Sequence, residues 1–153
     1  MNILGIDPGE HGGYALMTDA NFPTAIEFSK QTKKEVSDII KFYADCMGPL
    51  HCIIEKVHAA PRQGVTSTFT FGKNYGFWLG LLTAHGIPYE EVPPQTWQGG
   101  LGIKAPRQAT YADRKRLLKQ RAEQLYPSIP IKADTADALL IAEYGRRLLN
   151  SRK

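Results

Sequence analysis

Two short apolar runs in this 153-residue chain each lead to an acid, and that arrangement constrains the fold more than any other feature. Residues 1–7 read as a strand that reaches Asp7 and is stopped by Pro8-Gly9; residues 50–57 read as another, in which Ile53-Ile54 leads into Glu55. A carboxylate at the tip of a buried strand is no core residue. Asp134 and Asp137 add two more acids at the start of the last helix, where positions i and i+3 share one face. Four acids drawn from distant segments to one point make a site for a hard divalent cation, because Mg²⁺ prefers oxygen ligands and keeps several waters.

The segments between the acids fix the architecture. Residues 12–18 read as a second strand after a glycine-rich reversal, and residues 23–29 as a third. Residues 32–47 have helical periodicity, with Val36, Ile39, Ile40 and Tyr43 on one face, and Gly48-Pro49 ends the helix. A long helix over 64–85 carries Phe71, Tyr75, Trp78, Leu79 and Leu82 at helical spacing. Its Gly72, Gly76 and Gly80 lie four apart, a stripe that permits close approach by another helix or by the sheet. Residues 88–92 supply a fifth strand, halted by Pro93-Pro94. The glycine-rich, basic stretch 98–110 has no hydrophobic period and is predicted to be a loop, suited to a mobile flap. A basic amphipathic helix follows over 111–126. The last helix, 134–149, turns Ala138, Ile141, Ala142 and the Tyr144-Gly145 region inward. This order predicts an α/β fold with a mixed five-stranded sheet flanked by helices, Asp7 and Glu55 on neighbouring strands, and the last helix lying across the sheet.

The length fits a single domain over residues 1–153. The start of the chain has no basic, apolar leader, and no apolar run approaches the roughly 18 residues of a membrane span. Cys46 and Cys52 form no CxxC pair, which argues against structural zinc and a disulfide framework. A cytoplasmic location with reduced thiols and no membrane partner is expected. The net charge of +4 is unevenly spread: residues 1–93 hold 7 Lys/Arg against 10 Asp/Glu, and residues 94–153 hold 12 against 5. A polyanion belongs on the second half, which points to a nucleic acid.

The motifs Ile3-Leu4-Gly5-Ile6-Asp7-Pro8-Gly9, Ile53-Ile54-Glu55-Lys56-Val57 and Asp134-Thr135-Ala136-Asp137-Ala138-Leu139-Leu140-Ile141-Ala142 resemble, in order and spacing, the acidic motifs of the RuvC-type Holliday junction resolvases. The helix start over 64–76 resembles that family too, and the compact length resembles its phage-encoded members. The resemblance implies an RNase H-like fold, a homodimer, two Mg²⁺ or Mn²⁺ ions per active site, no nucleotide cofactor, and paired nicks in a four-way DNA junction during recombination and repair. By analogy with the family, Asp7 bridges both ions, Glu55 and Asp137 bind one each, and Asp134 completes the cluster either as a direct ligand or from behind the ligands. Two ions about 3.5–4 Å apart suit in-line phosphodiester hydrolysis, since they attend both the attacking and the leaving oxygens.

Each acid taken alone has a plainer reading. Asp7 fits a turn before Pro8-Gly9, and Asp134 fits a helix cap with Asp137 favouring the helix N-terminus. Their joint occurrence favours the site. His58, Arg62, Lys73, Lys104, Arg107, Arg114 and Lys115 are the candidate DNA-binding residues. Of these, Lys115 matches a basic position of the family, and His58 stands where bacterial members often carry an aromatic wedge. Lys132 is a further candidate for the scissile phosphate. Alternatives of other kinds are a nuclease for flaps or forks, a non-catalytic junction-binding factor, and a small actin-like ATPase, for which 153 residues supply no second lobe.

Overall fold

The computed structural model describes residues 1–19, 23–58 and 64–152. Five strands, β1 (Asn2–Asp7), β2 (Gly13–Met17), β3 (Thr24–Glu27), β4 (Leu50–Glu55) and β5 (Tyr89–Val92), form one sheet in the order β3-β2-β1-β4-β5. The β1-β2 and β2-β3 pairs are antiparallel, while β1-β4 and β4-β5 are parallel. The sheet is therefore mixed, with β1 at its centre.

Strand side chains alternate between faces, and each face has its own core. Leu4, Ile6, Tyr14, Leu16, Cys52 and Ile54 pack with Val36 and Ile40 of α1 (Lys33–Cys46) and with Trp78 and Leu82 of α2 (Val65–Ala84). Ile3, Ala15, Met17, Ile53 and Val92 pack on the opposite side. There they meet residues of α3 (Pro94–Gly100), α4 (Tyr111–Leu125) and α5 (Ala133–Ser151). Asp7 follows Ile3 and Gly5 by the period of two, and Glu55 follows Ile53, so both acids fall on the face covered by α5.

That helix lies unusually close to the sheet. A Cβ on Gly5 would stand 2.4 Å from both the Ala138 carbonyl oxygen and the Ala142 nitrogen, and one on Gly145 would meet Ile53 Cγ1 at 2.6 Å. Glycine at position 5 lets strand backbone approach helix backbone, and glycine at 145 leaves room for the Ile53 and Ile3 side chains. Thr32 and Glu35 start α1 with a reciprocal capping box, and Thr110 and Asp113 do the same for α4.

The structure departs from the sequence reading in two places. Part of the expected 98–110 loop is ordered by a helix, because Pro94 opens α3 at a position where proline's fixed φ suits a first turn. Trp97, Leu101 and Ile103 are then buried, which anchors residues 97–103 to the core although the chain is irregular from 101 to 110. Among the described residues the glycine stripe of α2 also meets no other element: a Cβ added at Gly72, Gly76 or Gly80 has no described atom within 4 Å. Among the described residues, no helix is long and apolar enough to cross a membrane.

Candidate active site

The parallel pairing of β1 with β4 runs as far as Ile6 opposite Ile54, and on each strand the next residue is an acid. Asp7 and Glu55 thus leave the sheet side by side at the carboxyl ends of adjacent strands, where α/β folds commonly build their sites. α5 crosses above and adds Asp137 from its first turns. Asp7, Glu55 and Asp137 line one open cleft of about 390 Å³, together with Arg114 and Lys115 of α4, Gln98 of α3, and His11, Phe71 and Tyr111. The Gly9 N–H donates to Asp7 Oδ1 at 3.1 Å. Gly12 makes room for that carboxylate, since a Cβ there would lie 2.9 Å from Asp7 Oδ1.

The charges of the cleft are strained in the direction a cation would relieve. Burial raises the Asp7 pKa to about 6, assisted by the Asp137 charge and opposed by Lys115 and the Gly9 N–H. Burial likewise raises Glu55 to about 7, with Asp7 adding to the effect and the Trp97 N–H opposing it. Asp137 is also pushed above the usual carboxylate range by burial, against the pull of Lys115. Lys115 Nζ donates to Asp137 Oδ2 at 2.5 Å. Burial works against the charge on Lys115, but Asp137 and Asp7 outweigh it and hold the ammonium protonated.

Among the described residues, no three acids, histidines or cysteines stand together as a ready-made metal-binding group. The ammonium of Lys115 supplies the local positive charge instead. Two observations nevertheless fit the acids to a hard divalent ion. The acids of the cleft offer carboxylate oxygen, and Asp137 Oδ1 is buried with no hydrogen-bond partner among the described residues. An orphaned buried carboxylate oxygen is costly unless something binds it.

The remaining sequence candidates divide clearly. Asp134, half-buried in the first turn of α5, is not among the residues lining the cleft, although its charge contributes to raising both Asp7 and Asp137. Arg114 and Lys115 line the cleft, whereas His58, Lys73, Lys104 and Arg107 are exposed away from its lining. Arg62 lies outside the described residues. Lys132 is engaged elsewhere, donating to Glu27 Oε1 at 2.6 Å.

Sequence reasoning missed Trp97, whose indole Nε1 donates to Glu55 Oε2 at 2.8 Å. Reading Gly99-Gly100 as the mark of a loop hid the short helix that carries it. Pro93-Pro94 held the available signal, since proline opens helices as readily as it ends strands. His11, Phe71 and Tyr111 were likewise not placed at the acids, because only the tertiary fold brings their segments there.

A mixed five-stranded sheet in the order β3-β2-β1-β4-β5, flanked by helices on both faces, is the RNase H-like fold. No protein-family model matches the chain, and no curated protein matches it in sequence. Its fold does match solved structures of RuvC. One is T. thermophilus RuvC in complex with Holliday junction substrate, at a TM-score of 0.60 and 17% identity over 97% of this chain and 96% of that one. A second Thermus thermophilus RuvC structure matches at a TM-score of 0.60 and 18% identity, over the same shares of the two chains. Over 97% of its length the chain shares the fold of these structures, the fold that its three acidic motifs implied.

Proposed function

We propose that this chain is a divalent-metal-dependent endonuclease that resolves four-way DNA junctions by paired nicks, with residues 1–153 acting as one nuclease domain of a cytoplasmic homodimer. The observation that carries the reading is the convergence of Asp7, Glu55 and Asp137 on a cleft whose wall also holds Arg114 and Lys115. The likeness to a RuvC bound to a Holliday junction substrate supports branched DNA as the partner.

Asp7, Glu55 and Asp137 would hold Mg²⁺ or Mn²⁺, two ions per site by the family analogy, with Asp134 at the rim. Bound there, the cations supply Lewis acidity to phosphoryl oxygens and a more acidic water. The chain's own groups prepare the cleft for this. The Gly9 N–H orients Asp7, and Lys115 balances the clustered carboxylates until substrate and cation arrive. Arg114 and Lys115 then face the phosphodiester backbone, and Arg116, Lys119 and Arg121 on the same helix extend the positive surface.

The dimer reading is supported by α2. Gly72, Gly76 and Gly80 face open space, and Val65 and Phe69 on the same helix are 88% and 72% exposed. An apolar helix face bare of side chains suits close packing against a second copy of itself, and a two-fold dimer would present two clefts to a two-fold junction.

Labelled four-way, flap and linear duplex DNA incubated with the protein, with and without Mg²⁺ or Mn²⁺, separates the readings. Metal-dependent paired nicks in the four-way junction are expected. Preferential cutting of flaps would redirect the substrate class, and tight junction binding without any cutting would make the chain a binding factor.

A further inference from the structure

Trp97 has no solvent exposure and packs in the core with Val92, Leu101, Ile103 and residues of α4 and α5. Its indole carries a single donor and no acceptor, and that donor is given to Glu55 Oε2 at 2.8 Å. A ring locked by packing on all sides fixes the direction of its N–H, and the N–H in turn fixes the carboxylate. The two flanking acids of the cleft are thus held by donors of different kinds. Asp137 is held by an ammonium of opposite charge, Glu55 by a neutral N–H that adds no charge of its own.

We infer that Trp97 is a positioning residue, whose buried indole N–H holds Glu55 in the one orientation that presents its charge to a divalent cation. The inference rests on the metal-dependent reading of the cleft. Donors that orient a metal-binding side chain commonly account for about 10–100-fold in metal affinity, and the low end of that range is expected for one neutral hydrogen bond.

The chain has two tryptophans, so an amide-type ¹H–¹⁵N spectrum shows two indole signals. Trp78 serves as the internal reference, because its Nε1 is buried with no hydrogen-bond partner among the described residues. On titration of the wild-type protein with Mg²⁺, the Trp97 signal is expected to move saturably while the Trp78 signal stays. Glu55→Gln should also displace the Trp97 signal alone. By calorimetry, Trp97→Phe should bind Mn²⁺ about tenfold more weakly than wild type, and in a Glu55→Gln background the same change should cost nothing further.

Unchanged Mn²⁺ affinity in Trp97→Phe would overturn the assignment, as would an equal loss in both backgrounds, which would mark a packing effect unconnected with Glu55. If Trp97→Phe does not fold, the two spectra decide: a Trp97 signal indifferent to both Mg²⁺ and Glu55→Gln overturns it. A wild-type protein that binds no Mn²⁺ fails differently, removing the metal-dependent reading itself and the role of Trp97 with it.

Discussion

Lys115 holds one oxygen of Asp137 at 2.5 Å while the other is buried without a partner, and Asp7 and Glu55 share the same cleft with raised pKa values. The folded chain therefore binds protons at these acids more tightly than the unfolded chain does. Where the folded pKa of an acid exceeds the unfolded one, folding takes up protons, so stability falls as pH rises from about 4 to about 7. Asp7→Asn should stabilise the metal-free protein by roughly 1–2 kcal/mol above pH 7, and the gain should vanish toward pH 4. Urea unfolding in chelator at several pH values measures it; a destabilised variant at pH 8 would contradict the electrostatics. Lys115→Ala should weaken DNA binding on every sequence and lower the salt slope by about 1, read from binding titrations across salt concentrations. At this scale the acids were legible from sequence, since each strand announces its own end and Asp134 and Asp137 share a helix face. The division between Asp137, which lines the cleft, and Asp134, which does not, was not legible, because it depends on the rotation of α5 against β1. Nor was the bond from Trp97 to Glu55, which joins residues 42 apart in sequence.

Among elements, the placement of α5 decides whether there is a site at all. It reaches the sheet only because Gly5 and Gly145 leave no side chain between them and their neighbours. Gly5→Ala would put a Cβ 2.4 Å from two backbone atoms of α5, so the helix must shift. A loss of about 3 kcal/mol or more is expected, at or above the usual range for overpacking. Denaturant unfolding checks it, and a cost below about 1 kcal/mol would mean that α5 sits farther from β1 than this packing requires. The strands and long helices were readable because period-two and helical patterns are strong over their lengths. α3 was not, being seven residues long with two glycines at its end; the burial of Trp97, rather than local propensity, stabilises it. The glycine stripe on α2 was visible in sequence, but the direction it faces was not.

For the molecule as a whole, the charge split between the two halves acquires a geometry. The basic helix α4 borders the acidic cleft, so an anionic substrate of the proposed kind would be drawn to the wall next to the carboxylates. The opposite layer carries α2, whose exposed stripe and Phe69 predict a dimer. Phe69→Glu should shift the solution mass from two chains to one, as measured by light scattering, while leaving the helix content unchanged. A wild-type protein that is monomeric at assay concentration would remove the dimer from the account. The central claim, that the three cleft acids perform metal-dependent junction cleavage, is tested most directly by the single-turnover cleavage rate of a labelled four-way junction with and without Mg²⁺, for wild type beside Asp7→Asn. The account predicts symmetric nicks by the wild type only when the metal is present, and a loss of at least about 100-fold in Asp7→Asn, on the scale of losing a direct transition-state contact. Cleavage that persists in chelator, or that survives Asp7→Asn unchanged, would contradict it.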